Sequence, residues 1–168
     1  MGESYQHQVV AWWSSGRTGM AKSNSAPNTI HFAAPPQFGG LEGRWSPEDL
    51  LLSAVAGCFT TTFRVLAEYS KWEYLDLQVE ALGSVEKVDS GYSFTRIVVR
   101  PLLKILGEPE RERGLHLLHK ANNLCLVSRA LAVAQAFEPV VEVAKSATSA
   151  ENLSAIVADL SDGKQAKQ

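Results

Sequence analysis

Apolar and polar positions divide the chain into segments of different period. Tyr5 to Trp13, ending in "VVAWW", reads as a strand rich in Val and Trp. "SSGRTG" (Ser14 to Gly19) follows as a turn with Gly on both sides of Arg17, and a second short strand is expected after it. "SAPN" (Ser25 to Asn28) turns the chain into a third strand at Thr29 to Ala33, giving an antiparallel meander. Ala34 to Trp45, "APPQFGGLEGRW", is a loop rich in Pro and Gly.

The pattern then changes to helical. Ser46 suits an N-cap, Pro47 the first helical position, and Asp49 completes a capping box. With no breaker before Tyr69, a helix of over twenty residues is expected. Leu51, Val55, Cys58, Phe59, Thr62 and Leu66 share one stripe, while Leu50, Leu52, Ala54, Ala56 and Phe63 cover much of the rest. A helix apolar this far round is expected to be buried by its own sheet and by another chain. Strands are predicted at 75–87 and 92–105, joined by a "VDSG" hairpin turn. A helix from Pro109 to Asn122–Asn123, a short further helix in "LCLVSRALAVAQA" and a last strand at Phe137 to Val143 complete a single domain over 1–143. Residues 144–168 are expected to be an extension, with a short amphipathic helix through Leu153, Ile156, Val157 and Leu160 and then a disordered tail. Strands, helix, strands and helices in that order imply an α+β fold with sheets wrapped on a central helix.

Composition narrows the function classes. The 168 residues suffice for one domain with a substantial core; 45% are hydrophobic, 20% charged, and the net charge is −2. No basic run calls for nucleic acid. The N-terminus lacks a basic region followed by a long apolar one, and "LLLSAVAGCF" alone is too short to span a bilayer. The expectation is therefore a cytoplasmic chain with no membrane partner. Two cysteines, Cys58 and Cys125, are too few for a disulfide scaffold and lack zinc-site spacing. His116 and His119 with Cys125 as third ligand would make a metal site. A His pair on an amphipathic helix with no carboxylate near is more simply a solvated face, so no metal or other cofactor is expected. Taken alone, Cys58 is most simply a small buried residue, Glu48 a partner of the helix dipole and Arg17 a solvated turn residue.

Together these residues say more. "SPEDLLLSAVAGCF", followed far downstream by "NNLCLVSRAL", resembles the family of osmotically induced and organic hydroperoxide resistance proteins (OsmC/Ohr), which are thiol peroxidases. The Gly-flanked Arg17 is similar to the arginine of the hydroperoxide-resistance branch. The resemblance implies an OsmC-like fold, antiparallel sheets around a long buried central helix in an intertwined homodimer with two sites at the interface. It also implies roles: Cys58 as peroxidatic thiolate, Cys125 as resolving thiol, Arg17 as activating cation and Glu48 as the carboxylate that orients it. The implied cycle reduces an organic hydroperoxide to an alcohol through a Cys58 sulfenic acid and a Cys58–Cys125 disulfide. A dithiol, a lipoylated protein in the hydroperoxide-resistance branch, then recycles the enzyme. Two positions depart from the pattern: Leu126 follows Cys125 where many relatives have proline, and Ser15-Gly16 precedes Arg17 where Gly-Gly is common.

The chemistry tests these roles. A free thiol has a pKa of roughly 8.5, and burial raises it. Cys58 is therefore expected to need a nearby cation. Arg64 lies about 120° round the helix and points elsewhere. Arg17 is the better candidate, with Arg129 the runner-up, acting on Cys125. Glu48 and Cys58 are about 15 Å apart along a continuous helix, too far to share a site in one chain. Two helices packed antiparallel and crossing near Ser53 would bring Glu48 of one copy beside Cys58 of the other. Leu51, Val55, Phe59 and Phe38 are expected to line the substrate pocket. The competing reading is a non-catalytic module of the same fold that binds a small apolar or electrophilic ligand at the interface, and a purely structural stress protein is a weaker third.

Overall fold

The computed structural model describes residues 2–144, so the expected helix and tail of the extension lie outside the described residues. Three strands, β1 (Val9–Ser15), β2 (Thr18–Ser23) and β3 (Ile30–Ala33), form the expected antiparallel meander. A single 3-10 turn at Pro36–Phe38 follows in the Pro/Gly loop. It closes on Gly39 at φ 73, and a Cβ on Gly40 would lie 1.5 Å from the Ala34 carbonyl oxygen. The loop is folded back on itself too closely for any side chain there.

Helix α1 (Pro47–Tyr69) runs for 23 residues and starts on the predicted capping box. The Ser46 hydroxyl accepts from the Asp49 amide at 3.0 Å, and the Asp49 carboxylate accepts from the Ser46 amide at 2.9 Å. Strands β4 (Asp76–Val88) and β5 (Gly91–Ile105) make one long hairpin through Asp89-Ser90, as "VDSG" implied. Helices α2 (Arg111–Leu124) and α3 (Leu126–Ala130) then return the chain to the second sheet. Strands β6 (Ala134–Phe137) and β7 (Val140–Val143) both pair with β5 in parallel, one after the other along the same edge. The expected last strand is thus two strands separated by Glu138-Pro139, since proline cannot donate to the ladder.

One face of α1 carries the core. Val55, Phe59, Phe63 and Ala67 are buried at four-residue spacing and cluster with Ile97, Leu103 and Leu118. Each fully buried Phe stabilises the fold by about 1.5–3 kcal/mol. The opposite face, including Ala54, Gly57, Thr61 and Val65, is exposed in the single chain. By length and composition α1 as a whole is long and apolar enough to cross a membrane, which the ten-residue stretch read from sequence was not. Its Val55–Ala67 stripe is instead packed into the protein core.

Candidate active site

The site begins at the junction of α2 and α3. Cys125 ends one helix and precedes the next with extended backbone, φ −60 and ψ 108. That turn aims the first amides of α3 back toward α1. The Val127 amide donates to Cys58 Sγ at 3.5 Å. Cys125 is fully buried, Cys58 is half-buried, and both are free thiols. The two predicted sulfurs are thus brought together within one chain.

Their environments push them apart in acidity. Burial works to raise the Cys58 thiol. Hydrogen bonds from the Val127 amide, the Cys125 thiol, the Leu126 amide and the Thr62 hydroxyl outweigh it and hold Cys58 below the ordinary thiol range. Cys125 is pushed up by burial and by the neighbouring Cys58 sulfur, with the Ser128 hydroxyl and amide opposing. The arrangement makes Cys58 the more readily ionised, and so the more reactive, of the two thiols. Sequence reasoning missed these donors. Backbone amides carry no residue signature, and only the position of Ser128, three residues after Cys125, could have hinted at a hydroxyl near the second sulfur.

Glu48, ten residues before Cys58 on α1, and Phe38, in the Pro36–Phe38 turn, lie elsewhere. They share a cavity of about 480 Å³ with Leu52, Tyr92, Phe94 and Pro35. Phe38 stacks edge-on against Tyr92 at 4.9 Å. Glu48 Oε2 is buried there with no hydrogen-bond partner among the described residues. Because α1 is continuous from Pro47, the axial separation of Glu48 and Cys58 is indeed about 15 Å. The Arg17 guanidinium donates to the Phe38 carbonyl and lines a shallow hollow with Trp12, Trp13 and Phe32. Arg17 therefore stands at the Phe38 loop, and the groups lowering Cys58 in this chain are hydrogen-bond donors. Leu51 is half-buried, whereas Val55 and Phe59 are 0% and 1% exposed and belong to the core. Arg129, His116 and His119 are exposed, and no three metal-ligating side chains gather among the described residues.

The comparisons agree with this architecture. A model of the family described as OsmC-like protein matches residues 40–139. An uncharacterised protein, YmaD of Bacillus subtilis, is 27% identical over 127 residues, 73% of this chain and 84% of that one. Among solved structures, an OsmC-like protein of unknown function from Vibrio cholerae superposes with a TM-score of 0.69 at 19% identity, over 84% of this chain and all of that one. An organic hydroperoxide resistance protein from Legionella pneumophila gives a TM-score of 0.65 at 24% identity, over 84% of this chain and all of that one. Another from Elizabethkingia anophelis gives 0.66 at 21% identity, over 86% and 100%. With the family model matched over more than half its length and the same α+β fold throughout, the chain belongs to the OsmC-like protein family.

Proposed function

We propose that the protein is a two-cysteine peroxidase that reduces organic hydroperoxides to alcohols. The observation that carries this reading is the paired sulfur site, with a half-buried Cys58 thiol held low by converging donors and a buried Cys125 beside it. The Cys58 thiolate attacks the distal oxygen of the hydroperoxide; the O–O bond breaks and the alkoxide takes a proton from solvent to leave as alcohol. The sulfenic acid on Cys58 then condenses with the Cys125 thiol, forming the disulfide and releasing water. An external dithiol is oxidised to its own disulfide as it returns both thiols. A lipoylated protein in the cytoplasm fits that role. Relatives of the same fold named as organic hydroperoxide resistance proteins support the substrate class.

The working unit in this reading is a homodimer. Within one chain Cys58 lies about 15 Å along α1 from Glu48, whose Oε2 is buried without a partner among the described residues, and Arg17 reaches from the β1–β2 turn to the Phe38 carbonyl. Antiparallel packing of the exposed α1 faces joins the Glu48–Phe38–Arg17 end of one copy to the Cys58 region of the other. There Arg17 adds positive charge near the thiolate, Glu48 supplies its counter-ion, and the cavity around Phe38 and Leu52 receives the organic group. A buried carboxylate oxygen without a partner is costly, which favours such a closure.

Stopped-flow oxidation by cumene hydroperoxide and by hydrogen peroxide, with thiols counted, tests the reading. Two thiols lost per equivalent, faster with the organic peroxide and abolished by Cys58→Ser, is the expected result. Unchanged thiol counts with both oxidants would end it. The aromatic-lined cavity favours a second reading, a non-catalytic binder of small apolar ligands. Slow alkylation of Cys58 with no peroxide turnover would support that instead.

A further inference from the structure

The hydroxyl of Ser128 has an unusual use in this chain. Helical Ser and Thr commonly return their proton to a backbone carbonyl one turn back. Ser53, Thr60 and Ser70 do so here, onto Asp49, Ala56 and Leu66. Ser128 instead donates to Cys125 Sγ at 3.2 Å. It is only 6% exposed, and its carbonyl is pinned by the Gln135 side-chain amide at 2.8 Å and the Leu131 amide at 3.2 Å. The donor is therefore held in place on the second sulfur.

We propose that Ser128 is a third catalytic side chain, which stabilises the anion on Cys125 Sγ and so makes Cys125 the leaving group when the disulfide is reduced. The proposal rests on the two-cysteine reading above. Access fixes the polarity: Cys125 is 0% exposed and Cys58 half-buried, so an incoming dithiol reaches Cys58 Sγ. Its thiolate forms a bond to Cys58 Sγ, the Cys58–Cys125 bond breaks, and the electron pair stays on Cys125. The second thiol of the reductant then attacks its own mixed-disulfide sulfur and frees Cys58. An anion on Cys125 in these apolar surroundings is costly without donors; Ser128 supplies its own amide and its hydroxyl, and the hydroxyl is the side-chain donor. The same bond helps in the forward direction, when Cys125 gives up its proton to attack the sulfenic acid.

The test uses a disulfide made with diamide, so that it does not depend on peroxide chemistry. Its reduction by dithiothreitol is compared in the wild type, Ser128→Ala and Ser128→Thr. Alanine favours helix and fills nearly the same volume, so the fold is retained. Because hydrogen bonds to charged groups are the stronger ones, Ser128→Ala is expected to slow reduction about tenfold. It should also move the pH midpoint of sulfenic-acid condensation upward and slow the Cys125 steps more than peroxide attack on Cys58. Ser128→Thr, which keeps the hydroxyl, should stay near wild type. Reduction of Ser128→Ala within twofold of wild type overturns the proposal. So does an equal slowing of the Cys58 step, which marks a packing defect, a threonine variant as slow as alanine, or a wild type in which diamide yields no Cys58–Cys125 disulfide. If wild type ignores peroxide yet forms the diamide disulfide, the peroxidase reading fails and the reduction rates still decide the role of Ser128.

Discussion

Leu126 occupies the first position of α3, and its amide is one of two that lower the Cys58 thiol. Cys125, just before it, already has the extended backbone that a following proline demands. Leu126→Pro is therefore expected to keep the fold, since proline suits a first helical position. It removes one donor from Cys58 and leaves that of Val127. The pH of half-maximal iodoacetamide labelling at Cys58 should rise by less than about one unit. An unchanged midpoint would show that the Leu126 amide does not act on the sulfur. Sequence marks both cysteines as candidates because sulfur chemistry is tied to a residue type. It expects a cation, Arg17, at Cys58 because a charge is legible, whereas the amides that lower Cys58 within this chain are not. The orienting feature is the turn at Cys125, which exists only once α2 and α3 are packed.

At the scale of the element, α1 was the most legible part of the chain. Its cap, first turn and buried stripe follow from local rules that tertiary packing did not override. The end of the chain was less so. "LAVAQAF" has the composition of a helix, yet Ala134–Phe137 pairs with β5 because an unpaired sheet edge offered hydrogen bonds. Pro139 then divides what read as one strand. The cap supports a quantitative expectation. Ser46→Ala removes the acceptor for the Asp49 amide and should lower stability to urea by about 1 kcal/mol at neutral pH. Hydrogen bonds from the Ser46 hydroxyl and amide hold the Asp49 carboxyl below the ordinary carboxylate range. Their contribution is present above the unfolded value of roughly 3.9 and is lost as pH falls through the lower folded value. The difference between variant and wild type should therefore narrow in acid. A constant gap from pH 7 to pH 3 would show that the bond from the Ser46 hydroxyl to the Asp49 carboxylate contributes nothing.

On the scale of the whole molecule, two surfaces are left open by the single chain. The first sheet exposes Val9, Trp12, Trp13 and Ile30, and it bridges to the rest through Phe32 and Trp45. The outer face of α1 exposes Ser53, Ala54 and Gly57. Gly57 makes the consequence testable. A Cβ there meets nothing within 4 Å in the lone chain. In an isolated protomer Gly57→Ala should thus stabilise α1 by about 1 kcal/mol, and Gly57→Leu should fold equally well. In an antiparallel pair crossing near Ser53, Gly57 lies one turn from the crossing, where a leucine would force the helices apart. The wild type is expected to run as a dimer by light scattering, and Gly57→Leu as a folded monomer. That monomer keeps both cysteines but is separated from Glu48 and Arg17 of a second copy, so peroxide consumption should fall at least tenfold. A wild type that is monomeric at full turnover would overturn the shared site, because one straight helix then holds Glu48 too far from Cys58 for any contact between them.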